Sequence, residues 1–305
     1  MKEVIAAIKK HKKFLITAHV NLEGDSLGSQ LAMKELLAAM GKESVIVDSD
    51  PVPDHYRFLP KADEIFDKID KIKDFDAAVV LDCPTLQRTG QLMDTIRKSK
   101  AFVINIDHHI SNDKFGNVNW VEPSASSAGE MVYLLYKETG ARLTKEAALS
   151  LYIAILTDTG NFNYDNTSRL THEIAGELLG YGLDPAVVSE SVYERRTLED
   201  IRFLGLVLST LKVNLAGDVA YLEMTRDMVG QTGADISKSE GFINYARSIG
   251  GVKIAILFKE DLKDPNRINI SFRSKGDVDV NGIAAYFGGG GHTKASGCAL
   301  TGPLA

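Results

Sequence analysis

The chain has 305 residues, of which 44% are hydrophobic and 25% are charged, and its formal net charge is -6. This composition excludes a fibrous or intrinsically disordered chain and provides enough apolar residues for one large domain or two moderate ones. Residues 206–305 carry 11 basic and 10 acidic side chains, so the negative charge lies in the rest of the chain. No basic run offers a footprint for long duplex nucleic acid, whereas a short phosphorylated ligand is compatible with the sequence.

The cysteines and the apolar segments predict a cytoplasmic protein. Cys83 and Cys298 are the only cysteines, and they are far apart in sequence, which is typical of ordinary thiols in a reducing compartment. The N-terminal segment MKEVIAAIKKHKK is amphipathic, and the apolar run after it is too short for the core of a signal peptide. No segment approaches the roughly 18 apolar residues of a membrane span, so no membrane partner is expected.

The first part of the chain alternates between short apolar runs and helical patterns. In chain order the segments are FLITA, SLGSQLAMKELLAAMG, SVIVDSD, AAVVLDC, LMDTIRKSK and AFVINID. Such alternation is typical of a parallel sheet covered by helices. Nearly continuous apolar runs such as AAVVL indicate strands that are buried on both faces.

The pattern becomes helical from about Ser124, and a linker is predicted near residues 185–200. Thr197 and Asp200 have capping-box spacing at the start of a further helix. A second alternating region follows, in which the predicted strands are DVAYLEMT, VKIAILFKED and RINISFRS, and DVNGIAAYF is a short helix.

The sequence therefore predicts an α/β protein of two domains. Residues 1–190 form a parallel-sheet domain with helices on both faces, 191–205 form a linker helix region, and 206–305 form a smaller mixed α/β domain. The first is expected to carry the chemistry, because the strand ends of a parallel sheet open into a crevice.

Metal-ligating residue types cluster after these predicted strands and at the end of one apolar helical stretch. They are His19, Glu23, Asp25, Asp82, Asp107, His108, His109 and Asp158. Converging carboxylates repel one another unless a cation is present. Carboxylates and imidazoles without cysteine suit Mn²⁺ or Mg²⁺, and the imidazoles favour Mn²⁺. Because the set exceeds what one octahedral ion takes from a protein, we expect two divalent cations about 3.5–4 Å apart.

In these motifs the chain resembles, over essentially its whole length, the DHH phosphoesterases with a DHH-associated C-terminal domain, a branch that includes nanoRNases and pAp phosphatases. The family's first motif, His-x-Asn-x-Asp-Gly-Asp followed by Gly-Ser, corresponds to His19, Asn21, Glu23, Gly24, Asp25, Gly28 and Ser29. The later motifs correspond to Asp82 with Arg88 and Gly90, to Asp107-His108-His109, to Asp158 in LTDTGNF, and to SFRS, DV, IA and FGGGGH. Five motifs in the same order make the resemblance specific.

The resemblance implies a role for each residue. One cation is bound by His19, Glu23 and Asp82, and the other by Asp25, Asp82, His108 and Asp158, with Asp82 bridging the two. Asp107 orients the site by hydrogen bonding, His109 donates to a phosphate oxygen, and Arg88 belongs to the catalytic set.

Glu23 departs from the family pattern, which usually has Asp at this position. Glutamate keeps the charge and the oxygen donors but adds one methylene, in a coordination shell whose geometry matters at a few tenths of an ångström. We expect Glu23 to serve as a ligand, because carboxylates adapt at flexible oxygen-rich sites.

The glycine-rich segment 288–292 and the strand before it indicate a phosphate-binding element. Consecutive glycines let backbone N–H groups approach an oxyanion, His292 adds a donor, and Arg273 can bind a terminal phosphate in a bidentate manner. The predicted substrate-binding residues are Ser271, Arg273, Gly289, Gly290, Gly291 and His292.

The predicted function is Mn²⁺-dependent hydrolysis of short nucleotides to mononucleotides or phosphate. The expected substrates are oligoribonucleotides of a few residues, pAp and linear dinucleotides, and a homodimer is implied by resemblance only. Two alternatives stay open: hydrolysis of cyclic dinucleotides, and a nucleotide-binding sensor whose catalysis is impaired by Glu23. A family II pyrophosphatase would lack the GGGGH ending, and a RecJ-type exonuclease is usually longer.

Overall fold

The computed structural model describes residues 1–68, 70, 74–239 and 241–304. The chain folds into two compact units, Met1–Glu194 and Arg195–Ala305. Each unit contains its own sheet and its own hydrophobic core. The predicted linker near 185–200 is largely helical, since one helix ends at Tyr193 and the next begins at Leu198.

The first unit is built on a parallel sheet. Its described strands are β1 (Lys13–Thr17), β2 (Glu43–Val47), β3 (Ile65–Phe66), β4 (Ala77–Leu81), β5 (Phe102–Asp107) and β6 (Val118–Val121). Their order is β3-β2-β1-β4-β5-β6, and all neighbouring strands run parallel. The chain thus extends the sheet first to one side of β1 and then to the other. A ligand crevice opens at such a reversal, outside the carboxyl ends of β1 and β4.

Helices cover both faces of this sheet, as predicted. They are α1 (Lys2–Lys10), α2 (Gly24–Ala39), α3 (Leu92–Ser99), α4 (Ala128–Thr139), α5 (Lys145–Asp158), α6 (Arg169–Leu179) and α7 (Pro185–Tyr193). Alternate residues of β1 enter different cores: Phe14 and Ile16 join the core that contains α1, α2, α4 and α5, whereas Leu15 joins the core with α3. Both faces of the central strands are therefore buried, which explains their continuous apolar sequence.

Close packing of α2 on α5 depends on Gly24 and Gly28. A Cβ atom at Gly28 would overlap the Ser150 carbonyl oxygen, and one at Gly24 would overlap the Thr157 side chain. Because no other residue lacks a Cβ, only glycine permits this approach. It brings the first turn of α2, which carries Asp25, beside the end of α5.

The second unit is a mixed α/β structure, as predicted. Its strands are β7 (Lys212–Val213), β8 (Val219–Met224), β9 (Ile254–Glu260), β10 (Arg267–Ser274), β11 (Gly290–Gly291) and β12 (Ala295–Thr301), and its helices are α8 (Leu198–Ser209), α9 (Arg226–Thr232), α10 (Phe242–Ser248) and α11 (Asn281–Tyr286). The strand order is β11-β12-β10-β9-β8-β7, in which β8 and β9 are parallel and the other neighbours antiparallel.

The predicted capping box begins α8: the Asp200 N–H donates to Thr197 Oγ1 at 3.2 Å, and the Thr197 N–H donates to Asp200 Oδ2 at 2.9 Å. The predicted strands correspond to β8, β9 and β10, and the predicted short helix corresponds to α11. Across the parts of both units that the structure describes, none of the helices has the length and apolar character needed to cross a membrane.

Candidate metal centre

The centre lies where three neighbouring strands of the first sheet end. His19 follows β1 by two residues, Asp82 directly follows β4, and Asp107 ends β5 and leads into His108 and His109. Since β1, β4 and β5 are parallel neighbours, their carboxyl ends meet at one edge of the sheet. The strand-end pattern in the sequence thus becomes one cluster in space.

Asp82 belongs to three groups of close ligand atoms, and two of these groups consist of the predicted metal ligands. The ligand atoms of His19, Glu23 and Asp82 lie within 4.8 Å of one another, and so do those of Asp25, Asp82 and His108. His19 Nε2 is 3.2 Å from Asp82 Oδ2 and 3.6 Å from Glu23 Oε1. Asp82 therefore occupies the position that a residue bridging two cations would need.

Asp158 reaches the second group from the end of α5. Its Oδ2 atom lies 3.4 Å from His108 Nε2, which is also 3.6 Å from Asp25 Oδ2 and 3.5 Å from Asp82 Oδ1. His108 thus faces carboxylates that come from α2, from the end of β4 and from α5. No local segment of sequence contains these three groups together.

The two histidines are oriented by their other ring nitrogen. His19 Nδ1 lies 2.7 Å from the Val20 carbonyl oxygen, and His108 Nδ1 lies 3.2 Å from the Ala125 carbonyl oxygen. A carbonyl oxygen only accepts hydrogen bonds, so Nδ1 carries the proton and Nε2 carries the lone pair in each neutral ring. This is how ligating histidines are usually held, with Nε2 directed at the metal.

The N-terminus of α4 holds Asp25. Asp25 Oδ2 accepts the Ala128 N–H at 2.7 Å, and Oδ1 accepts the Gly129 N–H at 2.8 Å. Both donors are among the N–H groups that a helix leaves unsatisfied at its start, where the helix dipole is positive. Ser127 caps the same turn by accepting the Glu130 N–H. The carboxylate is thus fixed by backbone donors, not by flexible side chains.

The buried carboxylates of the cluster need positive charge nearby to compensate their negative charge. Burial and the neighbouring charge of Asp82 raise the pKa of Asp25 well above its usual range, and burial raises the pKa of Asp158 to about 7. Burial disfavours the charged ring of His19 and of His108, yet the adjacent carboxylates outweigh this and raise both pKa values well above normal. The protein's own protons thus compensate part of the negative charge that divalent cations would neutralise.

Asp82 shows the fit to a cation most directly. Its side chain is buried, and among the described residues Oδ2 accepts no hydrogen bond of good geometry, although His19 is near. Its backbone φ of 50° lies in the left-handed region, which is strained for a non-glycine residue. A buried, unsatisfied carboxylate oxygen on a strained backbone is typical of a functional site, and its donor type suits a hard divalent cation.

A second layer of polar side chains lies behind this cluster. His109 Nδ1 donates to Asp107 Oδ1 at 2.7 Å, and Asn112 Nδ2 donates to Asp107 Oδ2 at 2.6 Å. Asn105, fully buried within β5, donates to the Val80 carbonyl at 3.2 Å. We did not predict Asn105 or Asn112 from the sequence. A polar residue inside the apolar run VINI was the available signal for Asn105.

Asp48 was also missed, although it follows the apolar strand β2 as Asp82 follows β4. It is buried and accepts hydrogen bonds from Thr17 Oγ1 at 3.1 Å, the Ala18 N–H at 3.0 Å and Gln30 Nε2 at 3.1 Å. These bonds tie the ends of β1 and β2 to α2. Asp48 therefore supports the segment that carries His19.

Arg88, predicted as catalytic, lies in a short 3₁₀ helix, Leu86–Thr89, with an exposed side chain. Its described hydrogen bonds are made by the backbone: the carbonyl oxygen accepts the Val20 N–H at 2.7 Å, and the N–H donates to the Thr85 carbonyl oxygen at 3.0 Å.

The predicted substrate-binding residues of the second unit lie on adjacent strands. Ser271 and Arg273 are two residues apart on β10, so both half-buried side chains share one face of the sheet. Arg273 Nη1 donates to the Phe272 carbonyl at 3.1 Å. Gly290 and Gly291 form β11, which pairs with β12. The His292 N–H donates to the Ala295 carbonyl at 2.7 Å and closes the turn between these strands.

Strand packing requires glycine at positions 289 and 291, which the sequence did not indicate. A Cβ atom at Gly289 would overlap the Gly297 carbonyl oxygen, and one at Gly291 would lie 2.6 Å from the Ala295 carbonyl oxygen. Gly291 also has a φ of 145°. By contrast, the nearest atom to a Cβ at Gly290 would be Asn281 Oδ1 at 3.7 Å. Gly290 is therefore the residue of the three that strand packing does not require to be glycine.

Comparisons with known proteins match both units. The family model "DHH family, N-terminal domain" matches residues 13–155, and the DHHA1 domain matches residues 217–304. A Thermus thermophilus protein named bifunctional oligoribonuclease and PAP phosphatase NrnA is 35% identical over 98% of this chain and 87% of its own length. A Bacillus subtilis protein of the same name is 30% identical over 98% and 92%.

A solved structure is similar over nearly the whole chain. It is that of an exopolyphosphatase-related protein from Bacteroides fragilis, with a TM-score of 0.90 and 30% sequence identity. The similarity covers 99% of this chain and 91% of that one.

Proposed function

The chain belongs to the DHH family, in the branch with a DHHA1 domain, and from this premise we propose that it is a two-metal phosphoesterase acting on short nucleotides. The proposed substrates are oligoribonucleotides of a few residues, pAp and linear dinucleotides, and the products are mononucleotides or phosphate. The oligoribonuclease and PAP phosphatase names of its relatives support this substrate class.

The observation that carries the proposal is the sharing of Asp82 between two groups of ligand atoms. His19 and Glu23 approach it from one side, and Asp25 and His108 from the other. A carboxylate with one oxygen toward each group is what a pair of divalent cations about 3.5–4 Å apart requires. The unsatisfied Oδ2 atom of Asp82 favours a site for cations over a purely structural polar network.

When bound, two divalent cations would lower the pKa of a water molecule and neutralise charge on the transferred phosphoryl group. The protein's contribution is to hold the metal-binding side chains in place before a cation or a substrate binds. The Ala128 and Gly129 N–H groups fix Asp25, and the Val20 and Ala125 carbonyl oxygens fix the histidine tautomers. We assign His109 to hydrogen bonding with a phosphate oxygen, because Asp107 holds its ring from the opposite nitrogen.

Glu23 is proposed to act as a ligand in place of the usual aspartate. It is the residue before α2, and its N–H is held by Ser26 Oγ at 2.8 Å. Its carboxylate nevertheless reaches within 3.6 Å of His19 Nε2, and 43% of the side chain is exposed. The extra methylene therefore extends from the helix start toward the cluster, where an exposed position gives the longer side chain room to adjust.

The second unit is proposed to bind the phosphate and sugar of the nucleotide. Arg273 supplies a guanidinium with the geometry for bidentate phosphate binding, and Ser271 lies beside it on the same face. Gly290 and His292 supply backbone and imidazole donors in the neighbouring turn. Arg88 has an exposed cationic side chain, which we propose contacts a substrate phosphate.

Product chromatography tests the proposal. The purified protein is incubated with Mn²⁺ or Mg²⁺ and with pAp, a 5′-phosphorylated dinucleotide, a 24-mer RNA, a cyclic dinucleotide or pyrophosphate. Turnover of pAp and the dinucleotide, with poor turnover of the 24-mer and a loss in Asp82→Asn, is the expected result. The exposed Asp63→Asn is the matched control and should retain activity.

Other outcomes of this panel identify the alternatives. Hydrolysis of the cyclic dinucleotide with no turnover of pAp would replace the proposal with a cyclic dinucleotide phosphodiesterase. Calorimetric nucleotide binding without any product would indicate a sensor whose catalysis Glu23 impairs, and Glu23→Asp would then restore turnover. Dominant turnover of the 24-mer would contradict the assignment to short substrates.

The metal, the assembly and the location remain predictions from the sequence. Mn²⁺ is proposed over Mg²⁺ because His19 and His108 provide imidazole ligands, and parallel assays with each metal decide this. Sedimentation equilibrium tests the proposed homodimer. The cytoplasmic location is tested by fractionation of cells that produce the protein.

A further inference from the structure

We propose that Asn112 is a positioning residue, which holds Asp107 so that His109 presents one tautomer and one ring orientation to the substrate phosphate. This inference rests on the proposed function, because it gives His109 a phosphate as its target. It extends that function to a residue outside the group of metal ligands, three positions after His109 in the segment DHHISN.

The hydrogen bonds of Asn112 use both hydrogens of its side-chain amide. Nδ2 lies 2.6 Å from Asp107 Oδ2, 2.8 Å from Asn105 Oδ1 and 3.3 Å from the Cys83 carbonyl oxygen. An amide nitrogen has two hydrogens, so the two short contacts use them and the third is a weaker, shared contact. The Asp107 contact is a hydrogen bond to a charged acceptor, which is the stronger kind.

The orientation of the Asn112 amide is set by an independent contact. The Lys114 N–H donates to Asn112 Oδ1 at 2.7 Å, so this atom must be the oxygen and the other must be the nitrogen. Asn105 is oriented in the same way, because its Nδ2 donates to the Val80 carbonyl at 3.2 Å and the Cys83 carbonyl at 3.1 Å. Its oxygen is thereby left to accept from Asn112.

Asp107 is held at both carboxylate oxygens. Oδ2 accepts from Asn112, and Oδ1 accepts from His109 Nδ1 at 2.7 Å. Asp107 is fully buried, so a carboxylate that lost one donor would have to turn to find another. Asn112 thus determines where Oδ1 lies, and Oδ1 determines the rotation of the His109 ring.

A competing acceptor makes this control necessary. His109 Nδ1 is also 3.6 Å from Asp82 Oδ1. If Asp107 moved away, a small rotation would let His109 donate to Asp82 instead, which would turn the ring and occupy the proposed bridging carboxylate. Asn112 acts through Asp107 to keep this proton directed away from Asp82.

The direct test is ¹⁵N NMR of histidine-labelled protein in Mg²⁺, which reports which ring nitrogen of His109 carries the proton. In the wild-type protein we expect a single tautomer protonated at Nδ1. In Asn112→Ala we expect the Nδ1–H resonance of His109 to shift or broaden, because this proton then also reaches Asp82 Oδ1, 3.6 Å from Nδ1. An Nδ1–H resonance unchanged from the wild type would overturn the inference, whether or not the protein hydrolyses nucleotides.

Kinetics with pAp provide the second readout. Asn112→Ala should lower kcat about 10- to 100-fold, the usual effect of removing a residue that orients a catalytic group, while the Kd for Mn²⁺ changes less than about threefold. Asn214→Ala is the matched control. This asparagine also makes several local hydrogen bonds, but in a turn of the second unit, so kcat should be unchanged.

A double-variant cycle separates positioning from a merely structural role. If Asn112 acts on His109 only through its hydrogen bond to Asp107, the double variant Asp107→Ala with Asn112→Ala should have about the same kcat as Asp107→Ala alone.

Additive losses in this cycle, or an Mn²⁺ Kd that weakens in parallel with kcat, would show that Asn112 only supports the loop. Inactivity of wild-type protein and of Asn214→Ala alike would instead contradict the proposed function. The NMR result would still decide the role of Asn112 in that case.

Discussion

The carboxylate–histidine cluster of the first unit and the glycine-rich segment 288–292 of the second unit arrange polar groups by different means. In the cluster, charged side chains such as Asp25 and Asp82 are almost fully buried, and backbone donors or strained backbone hold them in place. In the glycine-rich segment the polar groups are backbone atoms of an edge strand, and their neighbours Ser271 and Arg273 are half exposed.

The two motifs are retained for different reasons, one for function and the other partly for packing. Burial of like charges opposes folding unless a cation or protons compensate them, so function is the reason for retaining the buried cluster. In the glycine-rich segment, strand packing by itself requires Gly289 and Gly291. Substitutions in the carboxylate–histidine cluster are thus expected to lower activity, whereas some substitutions in the glycine-rich segment are expected to lower stability.

The largest effect should come from Asp82. Asp82→Asn removes the charge that both ligand groups share, so kcat should fall by more than about 100-fold, beyond the loss typical of residues that only orient a ligand. Asparagine tolerates the positive φ at this position, so the fold should be retained. Steady-state kinetics measure the loss of activity, and circular dichroism checks the fold. A folded variant that keeps its activity would contradict the comparison.

Gly28→Ala should act through packing. A Cβ atom at this position overlaps the Ser150 carbonyl oxygen, so α2 must move away from α5, at a cost of about 3 kcal/mol in the free energy of unfolding. The movement also separates Asp25 from Asp158, so the affinity for Mn²⁺ should fall. Gly176→Ala in α6 is the matched control: its Cβ meets nothing within 4 Å, and it should stabilise by about 0.5–1 kcal/mol. Urea denaturation of both variants measures the contrast, and equal stabilities would refute the packing argument.

The pH dependence of stability should report Asp48. Burial raises its folded-state pKa from 3.8 to about 6. Between these values the folded protein binds a proton that the unfolded chain has released, so this group makes stability decrease as pH rises from about 4 to 6. Asp48→Asn removes the effect, and its stability relative to wild type should rise by about 2–3 kcal/mol across this window, since one pKa unit corresponds to about 1.36 kcal/mol. Denaturant titrations at several pH values test this, with the exposed Asp63→Asn as control. Parallel pH curves for Asp48→Asn and the wild type would show that Asp48 does not titrate there.

The smallest effect should come from Gly290. Its Cβ would have space, so Gly290→Ala should leave the melting temperature unchanged, but the methyl group would hinder phosphate from reaching the backbone donors. KM for pAp should rise about 2- to 10-fold, the range for one lost hydrogen bond. Gly289→Ala, by contrast, should lower the melting temperature, because its Cβ overlaps the Gly297 carbonyl. A variant Gly290→Ala with unchanged KM would restrict the role of the segment to strand packing.

The strands and the ligand types were predictable because both depend on local sequence. Apolar runs mark the central strands, and the residues after them, such as His19 and Asp82, have chemistry that few structural roles need. The strands β3, β6, β7, β11 and β12 were not predicted, because they are short or rich in small residues and gain their pairing from neighbours in the sheet. Asn112 was missed because its role depends on a contact with Asp107 and not on any periodicity.

Local sequence by itself determined which residues could bind a metal and that they follow buried strands, because the apolar pattern and the donor chemistry are written in single segments. Tertiary structure decided which of them meet. Asp48 and Asp82 each follow an apolar strand, yet β2 and β4 lie on opposite sides of β1, and Asp82 joins the cluster whereas Asp48 binds Thr17 and Ala18. Strand order and the close approach of α2 to α5 arise from long-range packing, which no local segment encodes.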